Sequence, residues 1–428
     1  MPNHALEPLR IPDEFWDRGE VITALDRRSI GQVFRLIRRY AGASQTRIGT
    51  AVGLAQGTVS LYMSGQRTVT TIDLLERVAA GLRLPDHARL RLGLAPCDAS
   101  TSGRPPEPEG PSAGDYERLC HALRHPTRVD LVAAAHLREQ VQRLDEQYDR
   151  TPSALLLAAT GQVHGQITYL RGQAANSAAR RQLWAAEAES AILMGLLVWD
   201  ASQRRDHASA VAYFDQAITA ARQARDIASE AHAELRKSYI CLYGRNDPAT
   251  GLDLAQRAAD LGRQDSQVIA GLAMLHVGEA NAMLGRRISC DRALNAATET
   301  HFAQITPDDP AAVLYSPSLP GRLAGSCWLS LGRPDKAEHV LDQTRSLCND
   351  QNKATAILLG NLALASIRRG DIDAGTSRLH ETITILEPTR GAGGLNIVCT
   401  AARELRPWRS HPVVQDLTDR IFTLMTAA

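Results

Sequence analysis

Residues 44–67 read Ser-Gln-Thr-Arg-Ile-Gly-Thr-Ala-Val-Gly-Leu-Ala-Gln-Gly-Thr-Val-Ser-Leu-Tyr-Met-Ser-Gly-Gln-Arg. Ser44 offers a hydroxyl to the free amides of a first helical turn. Ile48, Ala51 and Val52 then recur at helical spacing and make one apolar stripe. Gly53 supplies a tight turn, because glycine enters the left-handed region at little cost. A second helix is predicted from Ala55, with Val59 and Tyr62 facing inward and Gln56, Gly57, Thr58, Ser60 and Leu61 facing out. Amide and small side chains at the start of such a helix suit base edges: glutamine donates and accepts at adenine, and threonine meets a thymine methyl.

Charge points the same way. Residues 27–92 carry eleven Arg against three acids, a net +8, whereas the whole chain is +1. A concentrated basic segment releases phosphate counterions when it binds DNA, so a steep salt dependence is expected.

This segment resembles the helix-turn-helix of lambda repressor and Cro, the XRE family, over residues 29–93. The matching residues are Ser44-Gln45, Ile48 to Gly53, Gln56, Val59-Ser60, Gly65, Arg67, Ile72 to Leu75 and Val78-Ala79. The resemblance implies a phosphate contact for Gln45, base contacts for Gln56, Gly57, Thr58 and Leu61, and phosphate contacts for Gln66 and Arg67. Arg47 and Ser60 complete the expected DNA-facing set. Met63 stands where many members carry a Glu that pairs with an Arg of the first helix, here Arg38, so that ion pair is not expected.

A length of 428 residues exceeds one ordinary domain. Residues 1–28 are expected to hold a lead helix, with Phe15, Trp16, Val21, Ile22 and Leu25 on its apolar face. The five-helix lambda-repressor-like domain then occupies residues 29–96, with Thr71 as a cap and Pro85 as a helix start. The Pro/Gly-rich stretch 97–114 reads as a linker. Beyond it everything reads helical, so the fold class is all-α.

Residues 115–428 also repeat. Small-then-large pairs recur at Ala210/Phe214, Gly251/Ala255, Cys290/Leu294, Ala337/Leu341 and Gly375/Leu379, at spacings of 41, 39, 47 and 38. Each marks the second helix of a hairpin whose face one hairpin alone cannot bury, so hairpins are expected to stack. The unit Leu359 to Pro388 resembles a tetratricopeptide (TPR) repeat, which implies a right-handed TPR-like solenoid with a concave groove lined by the first helices. An Asn such as Asn361 often holds ligand backbone in peptide-sensing families of this layout. Arg236 and Arg322 fall on corresponding faces and suit an anion; Glu279 and Arg368 are further groove candidates. Trp184, Trp199, Trp328 and Trp408 sit at apolar spacing and are expected in the core.

The two halves together resemble one-component actinobacterial regulators. That resemblance implies a homodimer on double-stranded DNA, with half-sites about one helical turn (~34 Å) apart, and a peptide or small-molecule effector in the groove. A solenoid that binds a partner protein instead is the rival expectation. No enzyme is expected: phosphate-binding loop, His-Glu-x-x-His and Gly-x-Ser-x-Gly patterns are missing from the sequence. No cofactor or metal is expected either, since the seven cysteines are scattered and His121/His125 lack further ligands at metal spacing. With no apolar run near ~20 residues and no signal-like start, a cytoplasmic protein with no membrane partner is expected.

Overall fold

A computed structural model describes residues 11–54, 56–67, 72–94, 113–348 and 351–426, all helix or connecting turn with no strand among them. The chain divides into two compact units, 1–136 and 137–428.

The first unit holds α1 (Gly19–Asp26), α2 (Ile30–Ala41), α3 (Gln45–Val52), α4 (Gln56–Met63), α5 (Ile72–Gly81), α6 (Asp86–Leu92) and α7 (Ala113–Arg124). A single core from Phe15 to Leu94 holds α1 to α6 together. The lead helix expected up to Arg28 is broken. Asp13–Phe15 form a 3-10 turn and α1 starts only at Gly19. Phe15 and Trp16 both reach the core, with rings 5.0 Å apart. Pro85 precedes α6 as its N-cap residue. Ala55, Thr71 and residues 95–112, hence most of the expected linker, lie outside the described residues. Asp130 receives Arg28 at 3.4 Å and Arg118 at 3.6 Å and caps Ala133 N–H at 2.8 Å. These contacts tie residues beyond 114 into the first unit.

α8 (Leu131–Glu146) comes next in the chain. There follow α9 (Ser153–Gln173), α10 (Ser177–Ala201), α11 (His207–Ala224), α12 (Ile227–Tyr239), α13 (Pro248–Gly262), α14 (Gln267–Met283) and α15 (Arg287–Asn295). The last six are α16 (Leu319–Ser330), α17 (Pro334–Arg345), α18 (Lys353–Arg368), α19 (Ile372–Thr389), α20 (Ala392–Glu404) and α21 (Pro412–Thr426). From α10 to α20 the even-numbered helices pack successively on one another; α10 to α18 each also pack on the helix that follows, while α21 packs on α19. The sequence pairs explain this contact. Phe214, Leu294 and Leu341 press on Gly195, Gly278 and Gly325 of the preceding helix, where an added Cβ would lie 2.6, 3.1 and 2.4 Å from them. Of the tryptophans expected in the core, Trp199 is buried, whereas Trp408 lies in a 3-10 turn and is 39% exposed. Trp184 and Trp328 are half-buried and roofed by cations, Arg171 at 3.8 Å and Lys336 at 4.6 Å.

Candidate nucleic-acid interface and effector cavity

The even-numbered helices of the second unit surround a cavity of about 910 Å³. Such a volume lies toward the top of the ~300–1,000 Å³ range of ligand sites. Two irregularities shape its wall. A π-turn at Ile240–Arg245 widens the end of α12 and carries Tyr243 into the lining. The loop that makes the 47-residue spacing the longest folds Leu314 and Tyr315 against it. That loop is pinned by Asp309, which accepts from Ser266 Oγ at 2.6 Å and Val268 N–H at 3.2 Å.

Asn361, Arg236, Arg322 and Glu279 all line this cavity. Arg368 does not; its guanidinium pairs with Glu404 at 2.8 Å and bonds the Leu329 carbonyl at 3.1 Å. Arg236 donates from Nε to His232 Nε2 at 2.9 Å and lies 5.1 Å over the Tyr239 ring. Glu279 accepts from Tyr243, from Ser326 Oγ at 2.7 Å and from His276 at 3.2 Å. Burial alone would raise its carboxyl, but these hydrogen bonds, led by His276, outweigh it and hold the group below its ordinary value. Glu279 is thus spoken for within the protein. Arg322 is not: its Nε is buried with no hydrogen-bond partner, and burial pushes the guanidinium below its ordinary value.

The sequence reading missed Arg204. It lines the cavity from the turn after α10, where Gln203 and Arg204 take φ of 53° and 60°. Left-handed geometry is strained for non-glycine residues; here Arg204 N–H bonds the Trp199 carbonyl at 2.7 Å and holds it. The guanidinium lies 4.7 Å over Trp199 and 5.7 Å from the Tyr243 ring, and its Nε is buried without a partner.

In the first unit, Ser44 Oγ accepts from Arg47 N–H at 3.2 Å and caps α3. Gly53, at φ 66°, ends it. The turn also needs Gly49, where a Cβ would lie 2.5 Å from the Leu54 carbonyl oxygen. Val59, Tyr62 and Met63 of α4 are buried, while Gln56, Gly57 and Leu61 are exposed and Thr58 and Ser60 half-buried. Gln56 Nε2 donates to Gln45 Oε1 at 2.8 Å, so the two amides stand as one unit. Gln45 is half-buried and its own Nε2 reaches Met63 Sδ at 3.7 Å. Where an Arg–Glu pair was not expected, Arg35 instead donates to the Met63 carbonyl at 2.7 Å and satisfies the end of α4. Gln66 and Arg67 are exposed just beyond, with Arg67 5.8 Å from the Tyr62 ring, and Arg47 is half-buried.

Residues 29–92 match the family model of a helix-turn-helix domain. No curated protein matches the chain. The matched span covers α2 to α6, so the tightly turned α3–α4 pair lies within a fold used to bind DNA. Among the described residues no helix is long and apolar enough to cross a membrane, and no group of three or more His, Cys, Asp or Glu is placed to hold a metal ion.

Proposed function

We propose that this chain is a sequence-specific transcriptional regulator of the XRE type, acting as a homodimer, whose operator affinity is set by an effector bound within a TPR-like second unit. The observation that carries the DNA-binding half is the Gln45–Gln56 amide pair on an exposed helix edge inside a helix-turn-helix domain. A locked amide meets a base edge without losing rotamer freedom at that moment. The observation that favours an effector over a docked partner protein is the cavity ringed by the first helices, which suits a ligand of limited size. Effector binding selects one arrangement of the packed hairpins, and differential affinity between arrangements sets DNA affinity.

The test is a mobility-shift titration on promoter fragments recovered by genome-wide mapping of bound DNA, with and without culture extract. A purified chain that binds no recovered fragment better than random DNA at low salt sinks the first half. An operator affinity indifferent to every extract, in the wild type and in Asn361→Ala alike, sinks the second.

A further inference from the structure

The cavity has a chemical bias. Three of its lining side chains carry a buried polar atom with no hydrogen-bond partner: Trp199 Nε1, Arg204 Nε and Arg322 Nε. All three are N–H donors. Leaving a buried donor unmet costs on the order of 1–3 kcal/mol, more when it is charged, so the wall is poised for an acceptor that the chain does not provide.

We propose that the cavity takes an organic monoanion, a single carboxylate on an apolar body, with the carboxylate received by Arg204 and Arg322 beside the Trp199 indole N–H. Guanidinium is the side chain best matched to a carboxylate, offering two parallel donors. Arg236, by contrast, is engaged by His232 and stacked on Tyr239. The other lining cation, Lys353, is bound to Asp200 at 3.0 Å. With Glu279 also satisfied internally, the remaining acids are Asp145, Glu146 and Asp149, exposed at the end of α8 and the turn after it. With Glu279 and Asp200 they make five carboxylates against four cations (Arg204, Arg236, Arg322 and Lys353), so each negative charge on the ligand beyond the one the arginines receive adds repulsion. The rest of the wall is apolar, with Leu235, Leu272, Leu323, Ile357 and Leu364 from four successive first helices, α12 to α18. That is the lining for an alkyl, aryl or apolar peptide body.

The inference deepens the effector reading and rests on it for any regulatory consequence, but binding is measured without DNA. The full chain is titrated with alkanoates of six to twelve carbons, with alcohols of the same lengths, and with a short apolar peptide as free acid and as C-terminal amide. Tryptophan emission reports, because Trp199 is in the wall, and calorimetry measures affinity. Acids are expected to bind at least tenfold more tightly than their neutral counterparts. Which acid series binds distinguishes a fatty-acid-like ligand from a peptide terminus. Arg204→Gln and Arg322→Gln are each expected to erase that acid preference, with Arg322→Lys keeping part of it; thermal melts verify that the variants fold. Equal affinity for acid and alcohol on the wild type, no binding of any acid at millimolar concentration, or an acid preference surviving the double Gln variant overturns the proposal. Operator binding that responds to extract but to no monoanion sinks this inference and leaves the regulator reading standing. Acid binding with no effect on DNA does the reverse.

Discussion

Lys353 Nζ lies 3.0 Å from Asp200 Oδ2, 153 residues away in the chain, and both side chains are almost fully buried. Ser153 Oγ completes the cluster, donating to Asp200 at 2.6 Å and standing 2.8 Å from Lys353 Nζ. Asp200 also accepts the Ala392 N–H at 2.9 Å, at the start of α20, where a negative charge suits the helix dipole. The Lys353 N–H bonds the Asp149 carbonyl at 2.9 Å. Residues from the first hairpin of the second unit are therefore fastened to its fifth and sixth, and the stack closes on itself around the cavity.

Removing one partner of such a pair leaves the other charge buried and unpaired, which typically destabilises by ~3–5 kcal/mol. Lys353→Ala is expected to lower the unfolding midpoint of the second unit by an amount in that range. Lys353→Met combined with Asp200→Leu should recover part of it. Urea unfolding followed by tryptophan emission measures both. A single variant within half a kcal/mol of wild type would show that the closure is dispensable.

A second expectation concerns the seat of α4. A Cβ on Gly31 would fall 1.9 Å from the Tyr62 carbonyl oxygen, a backbone atom that cannot step aside alone. Gly31→Ala must push α2 off α4, at a cost on the order of 1–3 kcal/mol. The first unit should melt earlier and DNA affinity should drop, while ligand titration of the second unit stays the same. An unchanged melt of the first unit counts against the close approach.

DNA readout divides by residue. Gln56→Ala or Thr58→Ala is expected to weaken specific binding by ~1–3 kcal/mol and random-sequence binding little. Gln45→Ala should resemble Gln56→Ala, since it removes the acceptor that fixes the Gln56 amide. Arg67→Ala should weaken both kinds of binding and reduce the salt slope by about one. Mobility shifts on operator and scrambled duplexes across a salt series separate these outcomes. Equal losses on both duplexes for Gln56→Ala would falsify base reading by that residue.

How far the sequence carries the fold depends on the range of the interaction. Hairpin contacts such as Ala337/Leu341 on Gly325 lie within one repeat and leave a periodic trace. So do the cap at Ser44 and the turn at Gly53, which involve neighbours only. The lead segment misleads because its spacing suits one helix, while the chain makes a 3-10 turn at Asp13–Phe15 and starts α1 only at Gly19, a break that spacing does not record. Arg204 sits in Gln-Arg-Arg-Asp, a polar turn like many; only its left-handed backbone turns it to the cavity. The closure pairs residues 153 apart, which no local pattern can register. One signal was available: the chain has three Lys against forty-five Arg, and Lys353 is the only buried one.

The last expectation is a pH dependence with a determined sign. His232 Nε2 accepts a hydrogen bond from Arg236 Nε at 2.9 Å, so the imidazole must be neutral in the folded chain. Burial first, and the Arg236 charge second, hold it well below its ordinary 6.5. Well above its ordinary 6.5 it is neutral folded and unfolded and contributes no slope. Below that, the unfolded chain takes up a proton that the folded chain refuses, so stability is lost as pH falls, by up to ~1.4 kcal/mol per pH unit. His164 and His301 are also held low by burial and add their own slopes. The informative quantity is therefore a difference. His232→Gln keeps an acceptor for Arg236 but cannot titrate, and its urea midpoint should fall less than that of wild type between pH 7 and pH 5. Identical slopes for the two proteins would mean that His232 is charged in the fold, and that the Arg236 contact is not the hydrogen bond described.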